Sequence, residues 1–209
     1  MGDEIAEASN MIGHCFYKQG EYSDALKNFM VAASTRNRAS KQEPTDHTLA
    51  VYYESVGACF FQMKKFIQPV AYYEKSKTIY ENIGEASMGE KIAEASNMTG
   101  HCFYKQGEYC DALKHCMEAA SARKHVSKQE STDHVLAVYY VSVGDCLLQM
   151  KKLNEAVAYC EKSEKIMRTT LEQQARGGDI ASIKLDPSIP IYVKGLHGTP
   201  DGRLQPPKS

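Results

Sequence analysis

The sequence predicts an all-α protein built from repeated pairs of helices. A long segment occurs twice, because residues such as Gly13 and Asp46 recur 87 positions later as Gly100 and Asp133. About two thirds of the aligned positions are identical, which is typical of a tandem repeat. Each copy contains two weaker, related halves, one around Gly13 and one around Gly57. Within each half, apolar residues lie three or four positions apart, which indicates amphipathic helices.

The individual helices follow from this spacing and from residues that begin a helix. Ala25, Phe29 and Ala32, for example, fall on one face of a helix. Asp46 precedes an apolar segment, as its counterpart does in the second copy, and its carboxylate is expected to cap the following helix. Pro69 falls in the first turn of its helix, where its missing N–H has no intrahelical acceptor. We predict eight helices, at about 3–18, 22–37, 46–64, 67–83, 89–105, 109–124, 133–151 and 154–175.

The residues after the last helix have a different character. Residues 177–209 contain Gly and Pro throughout, and this composition predicts a flexible tail outside a helical domain at 3–176. One hypothesis is that the apolar stretch 189–193 folds back onto the repeats. The last repeat has no obvious polar capping helix, which indicates a fragment of a longer array, a shortened product or a tail that covers the last face.

The four halves share a spaced pattern of small and large residues. The first half reads Ile12-Gly13-x2-Phe16, followed by Ala25-x3-Phe29, and the other three halves follow it closely. This pattern resembles the tetratricopeptide repeat, whose unit is two antiparallel helices. The resemblance implies an α-solenoid of four repeats and eight helices, with an irregular C-terminal tail. Its repeats would span about 6–39, 50–83, 93–126 and 137–170.

The spacing between units is longer than usual for this repeat. Gly13, Gly57 and Gly100 are about 43 residues apart, whereas the usual period is about 34. The Asp46-His47 pair that starts the third helix is similar to the long repeats of kinesin light chains and nephrocystin-type proteins. The linker at 81–95 is more similar to those of LGN-type signalling scaffolds. The sequence is therefore identified as a long-period member of this broad group.

Composition excludes several classes of function. The 209 residues carry 25 Lys and Arg against 26 Asp and Glu, and this balance argues against a nucleic-acid surface. No apolar run approaches the roughly 18 residues that cross a bilayer, so no membrane partner is expected. The acidic first residues do not resemble a secretion signal. The seven cysteines form no CxxC pair and are expected to be reduced thiols in the cytoplasm.

No motif predicts catalysis, a metal or a cofactor. His14-Cys15 recurs as His101-Cys102, but neighbours on a helix point about 100° apart and therefore to different faces. His115 lies between two cysteines whose spacing matches no zinc pattern. We therefore predict a protein that is not an enzyme and has neither a metal nor a cofactor. Four cysteines two positions beyond a repeat glycine are expected to pack as small apolar residues: Cys15, Cys59, Cys102 and Cys146.

The resemblance also implies where a partner binds. In the family, the first helix of each pair lines the concave side of the superhelix. A segment with apolar anchors would bind there, and Lys18 and Lys105 would face its carboxylate or backbone groups. Transferred by position, the groove residues are Asn10, His14, Tyr17, Lys18, Val51, Glu54, Phe61, Asn97, His101, Tyr104, Lys105, Val141, Asp145 and Leu148.

The resulting function is a protein–protein interaction scaffold or adaptor that binds a peptide or helix of a partner. The clamp that holds chaperone C-termini in some relatives is not reproduced here. Two alternatives remain, a structural or sensor arm of a larger multidomain signalling protein and a cargo adaptor similar to kinesin light chain. The uncapped repeat ends are compatible with self-association.

Overall fold

The computed structural model describes residues 2–40 and 44–176, and these residues form eight α-helices. Every predicted helix exists, with its ends within a few residues of the prediction, so the all-α prediction is confirmed. The tail predicted at 177–209 and the fold-back of 189–193 lie outside the described residues. The helices are α1 Gly2–Gln19, α2 Tyr22–Ala39, α3 His47–Gln62, α4 Gln68–Ile83, α5 Gly89–Gln106, α6 Tyr109–Val126, α7 His134–Gln149 and α8 Leu153–Arg176.

The helices form antiparallel pairs that follow one another along the chain. Helix α1 packs on α2, α3 on α4 and α5 on α6, while α7 and α8 share a core that includes Val143 and Ala156. The second helix of each pair also packs on the first helix of the next pair. The chain divides into two units, Met1–Thr170 and Leu171–Ser209, and this packing belongs to the first unit.

A glycine in each first helix lets the two helices of a pair approach closely. A Cβ at Gly13 would lie 2.7 Å from the ring of Phe29, and a Cβ at Gly100 would lie 2.7 Å from Sγ of Cys116. Both distances are shorter than van der Waals contact, so a larger residue would push the pair apart. The small residues of the repeated pattern therefore include positions of close helix contact.

The two copies use the same cap and ion pair between helices. The Asp46 carboxylate accepts a hydrogen bond from the Leu49 backbone N–H at 3.2 Å and lies 2.7 Å from Arg36 Nε. Asp133 is the corresponding cap in the second copy and lies 2.8 Å from Arg123 Nε. Each carboxylate thus begins one helix and ties it to the last turn of the preceding helix.

The hydrophobic core repeats with the sequence, with one exception among the cysteines. Cys59, Cys102 and Cys146 are buried as predicted, but Cys15 is exposed. The prediction for Cys15 is therefore wrong. The reason is packing, because α4 covers the side of α5 that carries Cys102, whereas the corresponding side of α1 remains accessible to solvent.

Candidate functional site

Contacts between first helices bring residues of different repeats together. On α5, Nε2 of His101 lies 3.2 Å from the hydroxyl oxygen of Ser142 on α7. Helix α5 therefore contacts α7 directly. Tyr17 on α1 shares a side-chain hydrogen bond with Gln62 on α3. We call the surface formed by the predicted groove residues on α1, α3, α5 and α7 the first-helix face.

The predicted groove residues differ in accessibility. His14, Lys18, Lys105 and Leu148 are exposed, and only Asn97 is buried. The others are half-buried and therefore combine a packed side with an accessible side: Asn10, Tyr17, Val51, Glu54, Phe61, His101, Tyr104, Val141 and Asp145. A shallow depression lies elsewhere, at the junction of the two copies, and none of the predicted groove residues lines it.

Aromatic contacts orient the ends of α1 and α5 in the same way. The Tyr17 ring packs edge-on against Tyr22 with centroids 5.3 Å apart, and Tyr104 packs edge-on against Tyr109 at 5.5 Å. Each second tyrosine begins the following helix. Because the rings are held by packing, the exposed lysine that follows each first tyrosine projects from an ordered helix end.

Glu54 is a carboxylate in a largely desolvated position of the first-helix face. Burial raises the pKa of Glu54 to about 7, and the nearby Glu94 adds to the rise while Lys91 opposes it. The Ser76 hydroxyl donates a hydrogen bond to Glu54 Oε1 at 3.3 Å. Glu54 therefore changes its protonation state near neutral pH.

His101 is held as a neutral side chain. Burial, together with the charge of Lys105, lowers the pKa of His101 to about 4. At neutral pH the imidazole is uncharged and forms one hydrogen bond with the Ser142 hydroxyl. It therefore adds no positive charge to the first-helix face.

Asn10 and Asn97 carry unused hydrogen-bond acceptors at equivalent positions of the two copies. Among the described residues, the side-chain oxygen of each is buried and has no hydrogen-bond partner. A buried carbonyl oxygen without a partner is costly, and most such groups in proteins are paired. Because neither oxygen is accessible to solvent, a ligand on the surface could reach it only after the side chain moved.

Several cysteine and histidine side chains of the sequence clusters are held by packing. Burial raises the pKa of Cys59 and of Cys102 to about 12, so both remain protonated thiols at neutral pH. His115 stacks on Phe103 with ring centroids 5.4 Å apart, and Cys116 packs under Gly100. No group of three or more potential metal ligands occurs within the described part of the chain.

Sequence reasoning missed two polar residues that contact the predicted groove residues. Ser142 binds His101, and Ser76 binds Glu54 from the second helix of the pair. Both are buried serines within helices. Their partners lie on other helices, so only the packing identifies them.

Comparisons with solved structures identify the fold. BtubC (BKLC) from P. vanneervenii has a TM-score of 0.70 at 15% identity, covering 100% of this chain and 73% of that chain. A Podosopora anserina protein assigned as a kinesin light chain with nearly identical TPR-like repeats has a TM-score of 0.64 at 8% identity, covering 94% of this chain and 84% of that one. The chain has the tetratricopeptide-repeat fold.

A third tetratricopeptide-type structure contains a ligand. The Rap conjugation regulator of plasmid pLS20, in complex with the Phr* peptide, has a TM-score of 0.57 at 14% identity, covering 82% of this chain and 53% of that chain. No protein-family model and no curated protein matches the sequence. Among the described helices, none combines the length and apolar character needed to span a membrane.

Proposed function

We propose that this chain is a non-enzymatic interaction module that binds a peptide or helical segment of another protein on its first-helix face. The observation that carries the proposal is the pair of exposed lysines, Lys18 and Lys105, at equivalent positions of α1 and α5 beside the two packed tyrosine pairs. Each ammonium group can donate hydrogen bonds to a carboxylate or backbone carbonyl of a bound segment. The peptide complex of the Rap regulator supports the proposal, since that protein shares the fold.

The chemistry of the first-helix face defines the preferred ligand. Lys18 and Lys105 are exposed and suit a carboxylate of the ligand, whereas His101 is neutral and provides only a hydrogen bond. Phe61 and Leu148 offer apolar contacts on α3 and α7. The expected ligand is a segment with at least one acidic side chain and apolar anchors.

The repeat type and the non-enzymatic character belong to the same proposal. The spacing of about 43 residues between units supports a long-period repeat similar to that of kinesin light chains. The neutral, desolvated thiols of Cys59 and Cys102 support a structural role for the cysteines. A cargo adaptor, or an arm of a larger signalling protein, is the biological setting in which such a module would act.

A peptide-display selection on the purified chain tests the proposal. We expect enriched peptides to contain an acidic residue beside apolar residues. Replacing Lys18→Glu and Lys105→Glu together should weaken their binding by at least about tenfold in fluorescence anisotropy. The control is Lys27→Glu with Lys114→Glu, which reverses two exposed lysines at equivalent positions of α2 and α6.

The matched controls make the outcome decisive. Equal loss of peptide binding in both double variants would contradict the assignment of the first-helix face. Failure to select any peptide from a diverse library would contradict peptide binding itself. Circular dichroism of each variant should show unchanged helicity, because all four lysines are exposed.

A further inference from the structure

The duplication allows the same helix to be compared in two environments. On α1, Ile5 is 52% exposed, Ile12 is 48% exposed and Cys15 is exposed. On α5, the residue equivalent to Ile12 is Thr99 and the residue equivalent to Cys15 is Cys102, and both are fully buried. We call the surface of α1 formed by Ile5, Met11, Ile12 and Cys15 the amino-terminal end face.

Helix α4 of the first copy buries this surface on α5 of the second copy. Helix α4 packs along α5, and Ile92 of α5 packs against the cluster that contains Ile79 and Tyr80 of α4. Burial raises the pKa of Tyr73, and the Cys102 thiol of α5 adds to the rise. Contact between the copies therefore buries on α5 the surface that α1 exposes.

A polar contact completes this junction between the copies. The Gln106 side chain donates a hydrogen bond to the Phe66 backbone oxygen at 2.9 Å. The equivalent residues at the two ends of the repeat domain are Gln19 and Leu153. Both residues are exposed, but Leu153 is the first residue of α8 whereas Phe66 precedes α4, so this hydrogen bond belongs to the internal junction.

The surface of α4 that packs on α5 has a sequence counterpart on α8. Cys160 occupies the position of Tyr73, Met167 that of Tyr80 and Leu153 that of Phe66. Leu153 is 58% exposed, Val157 is 56% exposed and Cys160 is exposed, whereas Tyr73 is 2% exposed in the first copy. We call the surface formed by Leu153, Val157, Cys160 and Met167 the carboxy-terminal end face.

We propose that the amino-terminal end face of one molecule binds the carboxy-terminal end face of a second copy, in the arrangement that joins α4 to α5 within the chain. The two faces are the sequence counterparts of surfaces that already bind each other. Because they differ from each other, the contact is head-to-tail and leaves a free face at each end of the assembly. Further molecules can therefore add in the same way.

The exchanged residues remove an ion pair and a buried hydroxyl that the internal junction contains. Lys77 lies in an ion pair with Glu118 across the internal junction, and the corresponding residues are Glu164 and Val31. The buried Thr99 hydroxyl has no partner among the described residues, while its counterpart Ile12 has no polar atom to satisfy. The association should therefore depend weakly on salt.

Sedimentation velocity of the full chain in reducing buffer tests the proposal. We expect the average mass to rise continuously beyond that of a dimer between about 1 µM and about 1 mM. Ile12→Glu should weaken association by at least about tenfold, because it places a charge in an apolar contact. Met30→Glu is the matched control, since Met30 is 44% exposed and its counterpart Met117 remains 46% exposed beside the internal junction.

Mixing two variants tests the head-to-tail geometry. Ile12→Glu leaves the carboxy-terminal end face intact, and Val157→Glu leaves the amino-terminal end face intact. Each variant alone should be monomeric, whereas the mixture should form a 1:1 dimer that does not grow. A monomer at all concentrations, a wild-type assembly that stops at the dimer, or a mixture that remains monomeric would each overturn the proposal.

The cysteines provide a second readout. Cys160 and Cys15 occupy the positions of Tyr73 and Cys102, so the proposed contact would bring these two exposed cysteines of neighbouring molecules near each other. A short bis-maleimide should therefore produce a ladder of cross-linked chains on denaturing gels, and Cys15→Ser should abolish it. Cys110→Ser is the control at another exposed thiol. A ladder that survives Cys15→Ser would contradict the proposed contact.

Discussion

At the scale of single residues, Glu54 shows how the duplicated chain places different chemistry in one position. Its counterpart in the second copy is Val141, so the same site holds a carboxylate once and an apolar side chain once. Desolvation of Glu54 raises its pKa to about 7 and makes its charged form costly in the folded state.

This cost predicts a pH-dependent stability. The folded state binds the Glu54 proton more tightly than the unfolded state, so stability is highest below the ordinary glutamate pKa of 4.5 and falls as pH rises to about 7. The free energy of unfolding should fall by up to about 3 kcal/mol over this pH range in the wild type. Glu54→Gln should remove this decrease. Urea unfolding of wild type and Glu54→Gln at several pH values measures the difference, with the exposed Glu108→Gln as control. A constant difference across this range would contradict the prediction.

At the scale of helices, the cap and ion pair between successive helices set where each helix begins. Burial opposes ionisation of Asp133, but hydrogen bonds from Ser127 and Arg123 outweigh it and lower the pKa. The same carboxylate accepts the backbone N–H groups of Val135 and Leu136 at 3.1 Å. One side chain thus joins the end of α6 to the start of α7.

Removing this carboxylate should be costly. Asp133→Ala leaves two backbone N–H groups and Arg123 without this acceptor, and we expect a loss of about 1–3 kcal/mol. The matched control is Asp111→Ala, an exposed aspartate in the first turn of α6. The shift of the urea midpoint measures both variants. Equal shifts would show that the cap does not stabilise the junction.

At the scale of the repeat domain, identical helices have unequal neighbours. In the part of the chain that the structure describes, α5 contacts α4, α6 and α7, whereas one side of α1 is exposed. In a repeat protein each unit is stabilised mainly by the adjacent units. Helix α1 should therefore open more easily than α5.

Hydrogen exchange can measure this difference with an internal control. Residues 13–20 and 100–107 have the same sequence. Amides inside these two stretches therefore have the same intrinsic exchange rates, because those rates depend on the neighbouring side chains. In dilute solution the amides of α5 should be protected at least about tenfold more than those of α1. Equal protection of α1 and α5 would contradict the prediction that a helix is stabilised mainly by the helices packed against it.

Local interactions explain why the sequence alone determined the helices and their pairing. Asp46 and Pro69 begin helices through contacts within one turn, and Gly13 and Gly100 mark close approach at a fixed spacing. These features depend on residues that are near in sequence, so their pattern is visible without a structure. The binding role assigned to the groove residues remains a prediction, because it was transferred by position.

Only the tertiary structure decided which of the duplicated residues are buried. Cys15 and Cys102 have the same neighbours in sequence, yet one is exposed and the other is buried beneath α4. The hydrogen bond of His101 with Ser142 and the desolvation of Glu54 likewise depend on helices from other repeats. Burial is set by what packs against a surface, and identical sequences cannot encode that difference locally.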